Sequence, residues 1–142
     1  MLTSLSIKNF ALIEKLNIDF LENFSIITGE TGAGKSIVLG ALGLVLGKRA
    51  DLSSLKNKEE KCVIEAHFEI SRYNLQSFFE ANDLDFENQT IIRREISSQG
   101  KSRAFVNDTP VQLTILKELS EKLIHIHSQH DTLAIKNSQF QM

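Results

Sequence analysis

Residues 29–36 read GETGAGKS, which fits the pattern GxxxxGK[ST] without a gap. No other stretch limits the fold as much, because this pattern works only between a strand and a helix. The sequence offers both. FSIIT (24–28) is a short, mostly apolar run suited to a strand covered on both faces. KSIVLGALGLVLG (35–47) is apolar almost all round and predicts a buried helix ending near Gly47. Gly40 and Gly43 inside it each cost about 1 kcal/mol against alanine, which points to close packing against a neighbouring strand. Gly29, Gly32 and Gly34 let the backbone curl so that successive N–H groups face one phosphate. Glu30, Thr31 and Ala33 complete that cradle, and a helix starting near Lys35 adds its positive end. Lys35 is expected to reach the β- and γ-phosphates and the Ser36 hydroxyl to ligate Mg²⁺, with Ile37 closing the candidate segment. The pattern specifies a nucleoside triphosphate with Mg²⁺ and leaves the reaction open.

Two alternating strands precede this unit. In LTSLSIKNF, Leu5 and Ile7 face one way and Ser4, Ser6 and Lys8 the other; KLNIDF repeats the pattern with Leu16, Ile18 and Phe20. After it, SSLKNKEEK (53–61) is a polar connector and CVIEAHFEI (62–70) alternates as a strand, with Val63, Glu65, His67 and Glu69 on one face. YNLQSFFEAN (73–82) suits a short amphipathic helix. TIIRREI and SRAFVN flank SSQGK, a hairpin signal with Gly100 in the turn. In TPVQLTILKELSEK, Thr109 is the expected N-cap and Pro110 the first helical residue. LIHIH (123–127) is expected as a strand.

A chain of 142 residues with 42% hydrophobic and 24% charged residues suits one domain with a real core. The formal net charge of −2 exerts no global pull on nucleic acid or anionic membrane, so any DNA contact must come from a local patch. One cysteine, Cys62, precludes an internal disulfide and fits a reducing compartment. No apolar run approaches the ~20 residues that span a bilayer, and no basic, apolar leader opens the chain. A cytoplasmic protein with no membrane partner is expected.

HIHSQHD (125–131) poses a choice of chemistry. HIHSQH comes within one residue of the HxHxDH zinc pattern, and His125 and His127 would share one face of a strand. Gln129 stands in place of the aspartate, however, and His67 is the only other histidine. The remaining readings are structural histidines or a helper role for His130 beside a nucleotide.

Together, LSIKNFALIEKLNIDFLENFSIITGETGAGKS, GALGLVLGKRAD, IIRREISSQGKSRAFVND, TPVQLTILKEL and LIHIHSQHD resemble the SMC, RecF and RecN group of ABC-type ATPase heads, and within it the RecN family. The resemblance covers nearly the whole chain; Ser128 departs from the glycine usual there, and Asp131 keeps the acidic position. It implies an α/β phosphate-loop NTPase, with residues 1–142 as the N-terminal lobe of a head that combines antiparallel strands with a parallel core. It implies ATP with Mg²⁺ as cofactors and Gln129 as the residue that reaches the bound Mg²⁺ and senses the γ-phosphate. An amide suits that role, since its carbonyl serves a hard cation without adding charge. The implied partners are DNA, a C-terminal lobe of the same head and a second head in a homodimer, and the implied location is the nucleoid.

Hydrolysis in that group also requires an apolar strand ending in Asp-Glu and a Ser-Gly-Gly signature. Neither HFEIS nor NDLDFEN qualifies. The expectation is half a head, binding nucleotide weakly and inactive alone. A self-contained, non-hydrolysing nucleotide module is the alternative, and a phosphate-loop kinase a lesser one, since it needs an arginine-bearing lid for which the sequence offers only Arg93 and Arg94 and no convincing lid segment. Arg93, Arg94, Lys101 and Arg103 form a cluster that could touch a DNA backbone or be a solvated strand face. Arg49 could reach nucleotide or DNA, or could serve the C-terminal end of the first helix.

Overall fold

The structure is a computed structural model that describes residues 1–20, 32–50 and 55–123. Six antiparallel strands form one sheet: β1 (Leu2–Phe10), β2 (Ile13–Asp19), β3 (Cys62–Glu69), β4 (Gln89–Ile96), β5 (Ser102–Val106) and β6 (Thr109–Val111), in the order β2-β1-β3-β4-β5-β6. Helix α1 (Gly32–Val45) lies between β2 and β3 in the chain and packs against β1, β3 and β4. Among the described residues the other helices are α2 (Gln76–Ala81) and α3 (113–123).

The alternation expected of the strands is what folds the sheet onto α1. Leu5, Ile7, Ile64, Ala66, Ile92, Ile96 and Val106 are buried on one face, against Val38, Ala41, Leu44 and Val45 of α1. The opposite face carries Ser4, Ser6, Lys8, Val63, Glu65, His67, Arg93 and Glu95, all at least partly exposed. The hairpin between β4 and β5 turns through Gly100 at φ 88°, where a left-handed backbone favours glycine, and Ser97 N donates to Lys101 O at 2.8 Å.

Four expectations need correction. Helix α1 starts at Gly32, ahead of Lys35, and it is not buried all round, since Leu39 is 56% exposed. Gly40 does meet a strand, because a Cβ there would lie 3.5 Å from the Phe10 ring, but Gly43 faces Lys48 of its own chain segment. Helix α2 occupies only Gln76–Ala81 of the stretch 73–82. Thr109 and Pro110 are in a strand: Val106 pairs with Thr109 and Phe105 with Pro110. Asn107 and Asp108 have φ of 48° and 69°, the two positive values that a tight hairpin turn needs, and they fold the chain back onto β5. Pro110, which has no N–H, is tolerated because β6 is an edge strand. The helix follows from residue 113. FSIIT and residues 124–127 of LIHIH lie outside the described residues, while Leu123, the last described residue, is helical and belongs to α3.

Candidate functional site

Helix α1 carries the phosphate-loop residues that the structure describes. Gly32, Ala33 and Gly34 form its first turn, and Lys35 and Ser36 follow, both exposed; Ile37 is half-buried and Val38 buried. Among the described residues the first turn contains no acidic residue, and the N-terminal end of a helix carries the positive end of its dipole. An ammonium, a hydroxyl and backbone N–H groups at one helix end are the donor set that a phosphate chain and its Mg²⁺ require. Gly29, Glu30 and Thr31 lie outside the described residues, as do Gln129, His125, His127, His130 and Asp131.

The C-terminal end of α1 is closed with equal care. Lys48 N donates to Gly43 O at 3.0 Å and Gly47 N to Leu44 O at 3.2 Å, with Gly47 at φ 105°. This is a Schellman closure, which needs glycine at the left-handed position. A side chain from the sheet completes it. Arg94 Nη1 donates to Leu44 O at 2.6 Å and to Lys48 O at 2.8 Å, while Nε and Nη2 donate to Ser102 Oγ at 3.0 and 2.6 Å. Arg94 is only 2% exposed, and burial presses its guanidinium below its usual range, with Cys62 pulling weakly the other way. The helix that holds the phosphate loop is thus tied at its far end to β4 and β5.

A second tie runs from β1. Asn9 is buried with φ 56°. Its Oδ1 accepts from Asn57 N at 2.6 Å, and its Nδ2 donates to Asn57 O at 2.9 Å and Glu60 O at 3.0 Å. The adjacent Phe10 ring packs beside Gly40 of α1. The Asn-Phe pair that ends β1 therefore holds the connector with one residue and the helix with the other.

The expected Arg-Lys cluster is divided by the sheet. Arg94 points into the core. Arg93 is on the other face, paired with Asp108 at 2.9 Å and Glu95 at 3.1 Å, and stacked over Phe105 at 4.4 Å. Both are engaged within the sheet and at the end of α1. Lys101 and Arg103 remain exposed. Arg49 is also exposed and does not cap α1, the role Arg94 fills; with Arg94, Ser102 and Arg103 it lines a cleft of about 350 Å³. His67 Nε2 lies 3.1 Å from Glu65 Oε1, and among the described residues no group of three potential metal ligands exists. No described helix is long and apolar enough to cross a membrane.

Antiparallel strands laid over a helix that opens on the phosphate loop define an α/β phosphate-loop NTPase of the ABC-type head class. The AAA domain family matches residues 4–142, and the chain belongs to it. Within that class it is RecN- and SMC-like. It is 40% identical over 146 residues to DNA repair protein RecN of Haemophilus influenzae, a match covering 100% of this chain and 26% of that protein. It is 41% identical over 143 residues to DNA repair protein RecN of Vibrio cholerae, again covering 100% of this chain and 26% of the relative. The chain thus spans about a quarter of the length of the curated relatives it matches. Among solved structures, an SMC ATPase described for ATP-driven dimerization and DNA-stimulated activation superposes with a TM-score of 0.64 at 18% identity, covering 87% of this chain and 79% of that one. The resemblance carried by the sequence to the SMC, RecF and RecN group is borne out.

Proposed function

We propose that residues 1–142 are the N-terminal lobe of a RecN-like ATPase head that binds ATP with Mg²⁺ and serves DNA double-strand break repair. The observation that carries this reading is the exposed Lys35–Ser36 pair directly after the first described turn of α1, which holds no acidic residue. Lys35 would neutralise the β- and γ-phosphates, Ser36 would ligate Mg²⁺, and the amides of residues 29–34 would hold phosphate oxygens. Gln129 would orient the attacking water and report the γ-phosphate. Mg²⁺, when bound, supplies charge neutralisation between phosphate oxygens.

No stretch of residues 1–142 supplies the Asp-Glu strand or the Ser-Gly-Gly signature. A C-terminal lobe of the same head would bring the first and a second head the second. ATP-driven dimerization of the similar SMC ATPase supports the pairing of heads. DNA held by the paired molecule, and a place at the nucleoid, follow from the same reading.

ATP turnover by residues 1–142, alone and with the C-terminal lobe of a RecN protein, tests it. Turnover is expected only in the mixture and is expected to vanish with Lys35→Ala. Steady hydrolysis by residues 1–142 alone, abolished by Lys35→Ala, would contradict the half-head reading.

A further inference from the structure

Arg94 is an unfavourable residue for the place it occupies. It stands in β4 between Ile92 and Ile96, both buried, and is itself buried. Among the described residues no carboxylate pairs with it. A buried guanidinium without a counter-charge is strongly disfavoured, and an apolar side chain of similar volume is commonly no less stable. The geometry is that of a strut. Nε and Nη2 hold Ser102 Oγ on β5 at 3.0 and 2.6 Å, which fixes the plane of the fork. Nη1 is left to reach α1, where it donates to Leu44 O at 2.6 Å and to Lys48 O at 2.8 Å. The backbone of Arg94 is fixed in mid-sheet, opposite Ile64 of β3 and Ala104 of β5. Val38, Ala41, Leu44 and Val45 press α1 onto the sheet, but apolar contacts are non-directional and do not set a helix along its axis. Hydrogen bonds to one end are directional and do.

We infer that Arg94 is a positioning residue for nucleotide binding: by fixing α1 along its axis, it sets where Lys35 and Ser36 stand against the phosphates. The inference deepens the proposed function and rests on its nucleotide-binding reading. Leu44 lies nine residues beyond Lys35 on the same helix, about 14 Å at ~1.5 Å per residue. An unbroken helix carries an axial shift from one end to the other, because each turn is hydrogen-bonded to the next. Arg94 touches no phosphate and acts only through α1. Simple stabilisation and positioning rank the variants differently. Arg94→Met fills the space but has no donor. Arg94→Lys keeps donors for the two carbonyls at the end of α1 and loses the fork to Ser102. Lysine is thus the poorer replacement for stability and the better one for position.

The test is Mg·ATP binding by calorimetry, with amide hydrogen exchange, on the intact protein as wild type, Arg94→Met, Arg94→Lys and Phe79→Leu. Phe79, in the ring cluster with Phe78 and Phe86, controls for lost stability alone. In Arg94→Met the Kd for Mg·ATP is expected to rise roughly threefold to tenfold, the range for a residue coupled to a site it does not touch. Arg94→Lys is expected within about twofold of the wild type, although its urea midpoint is no higher than that of Arg94→Met. Phe79→Leu is expected to keep the wild-type Kd. Without nucleotide, exchange in Arg94→Met should quicken at residues 36–40, near the start of α1, as well as at 44–48 beside the lost bonds. Should Arg94→Met not fold, Ser102→Ala frees one side of the fork and is expected to raise the Kd roughly twofold to threefold. Quickening confined to 44–48, a Kd that follows the urea midpoint across the variants, or an unchanged Kd in Arg94→Met, or in Ser102→Ala where that stands in, would each overturn the inference. A wild type that binds no Mg·ATP would overturn it together with the reading it rests on, whereas the other results leave that reading standing.

Discussion

Replacing Arg94 tests how the sheet secures the phosphate-loop helix. The guanidinium makes four hydrogen bonds, two to the carbonyls of Leu44 and Lys48 at the end of α1 and two to Ser102 Oγ. Hydrogen bonds from a charged donor are worth about 1.5–3 kcal/mol each. Burying a guanidinium with no carboxylate beside it costs several kcal/mol, which its removal returns. The difference leaves Arg94→Ala destabilised by about 2–4 kcal/mol, including the void left by the side chain. Arg94→Met fills most of that space yet strands both carbonyls, so it should lose about 1–3 kcal/mol. Arg94→Lys keeps a charge and loses the fork to Ser102, and should fall between the two. Urea unfolding with linear extrapolation measures all three. If Arg94→Met equals or exceeds the wild type, the carbonyls find other partners and Arg94 does not hold the helix.

Gly47→Ala should cost about 1–2 kcal/mol, because φ is 105° and the new Cβ would sit 2.7 Å from Lys117 Cγ of α3; an unaltered urea midpoint would refute it. Asn9→Ala forfeits the bonds to Asn57 and Glu60 and leaves alanine left-handed, for about 2–3 kcal/mol. Amide hydrogen exchange should accelerate at residues 57–61 first, and uniform acceleration would count against a local tie. Burial pushes the Cys62 thiol up to about 11, the Arg94 guanidinium pulling it down in part. The unfolded thiol ionises near pH 8.5, so its contribution is whole below that pH and is lost as pH rises toward 11. The alkaline decline in stability should therefore be shallower in Cys62→Ala than in the wild type, and parallel declines would show that the thiol does not contribute.

Much of the fold was legible because the sheet has one dry face and one wet one. Strand β3 alternates residue by residue, so periodicity alone placed Ile64 and Ala66 inside, and β4 alternates in the structure in the same way, with Ile92 and Ile96 buried. The same rule puts Arg94 inside, between Ile92 and Ile96. A run of neighbouring basic residues hid it, since clustered charge suggests a solvated face. Thr109-Pro110 has the chemistry of a helix start, and it masked the turn signal of Asn107-Asp108, two residues that tolerate the positive φ by which the chain has already reversed. The tertiary pairing with β5 overrides that signal. The phosphate loop was legible from its spacing, and the structure adds the exposure of Lys35 and Ser36 at the head of α1.

Equilibrium binding of Mg·ATP, followed by calorimetry on the wild type, Lys35→Ala and Gln129→Ala, tests the nucleotide-binding reading most directly. With the C-terminal lobe of a RecN protein present, saturable binding that depends on Mg²⁺, lost in Lys35→Ala and retained with weaker γ-phosphate discrimination in Gln129→Ala, is the predicted result, and residues 1–142 alone are expected to bind only weakly. Binding that is the same in the wild type and Lys35→Ala would contradict it, because the nucleotide would then sit somewhere other than the head of α1.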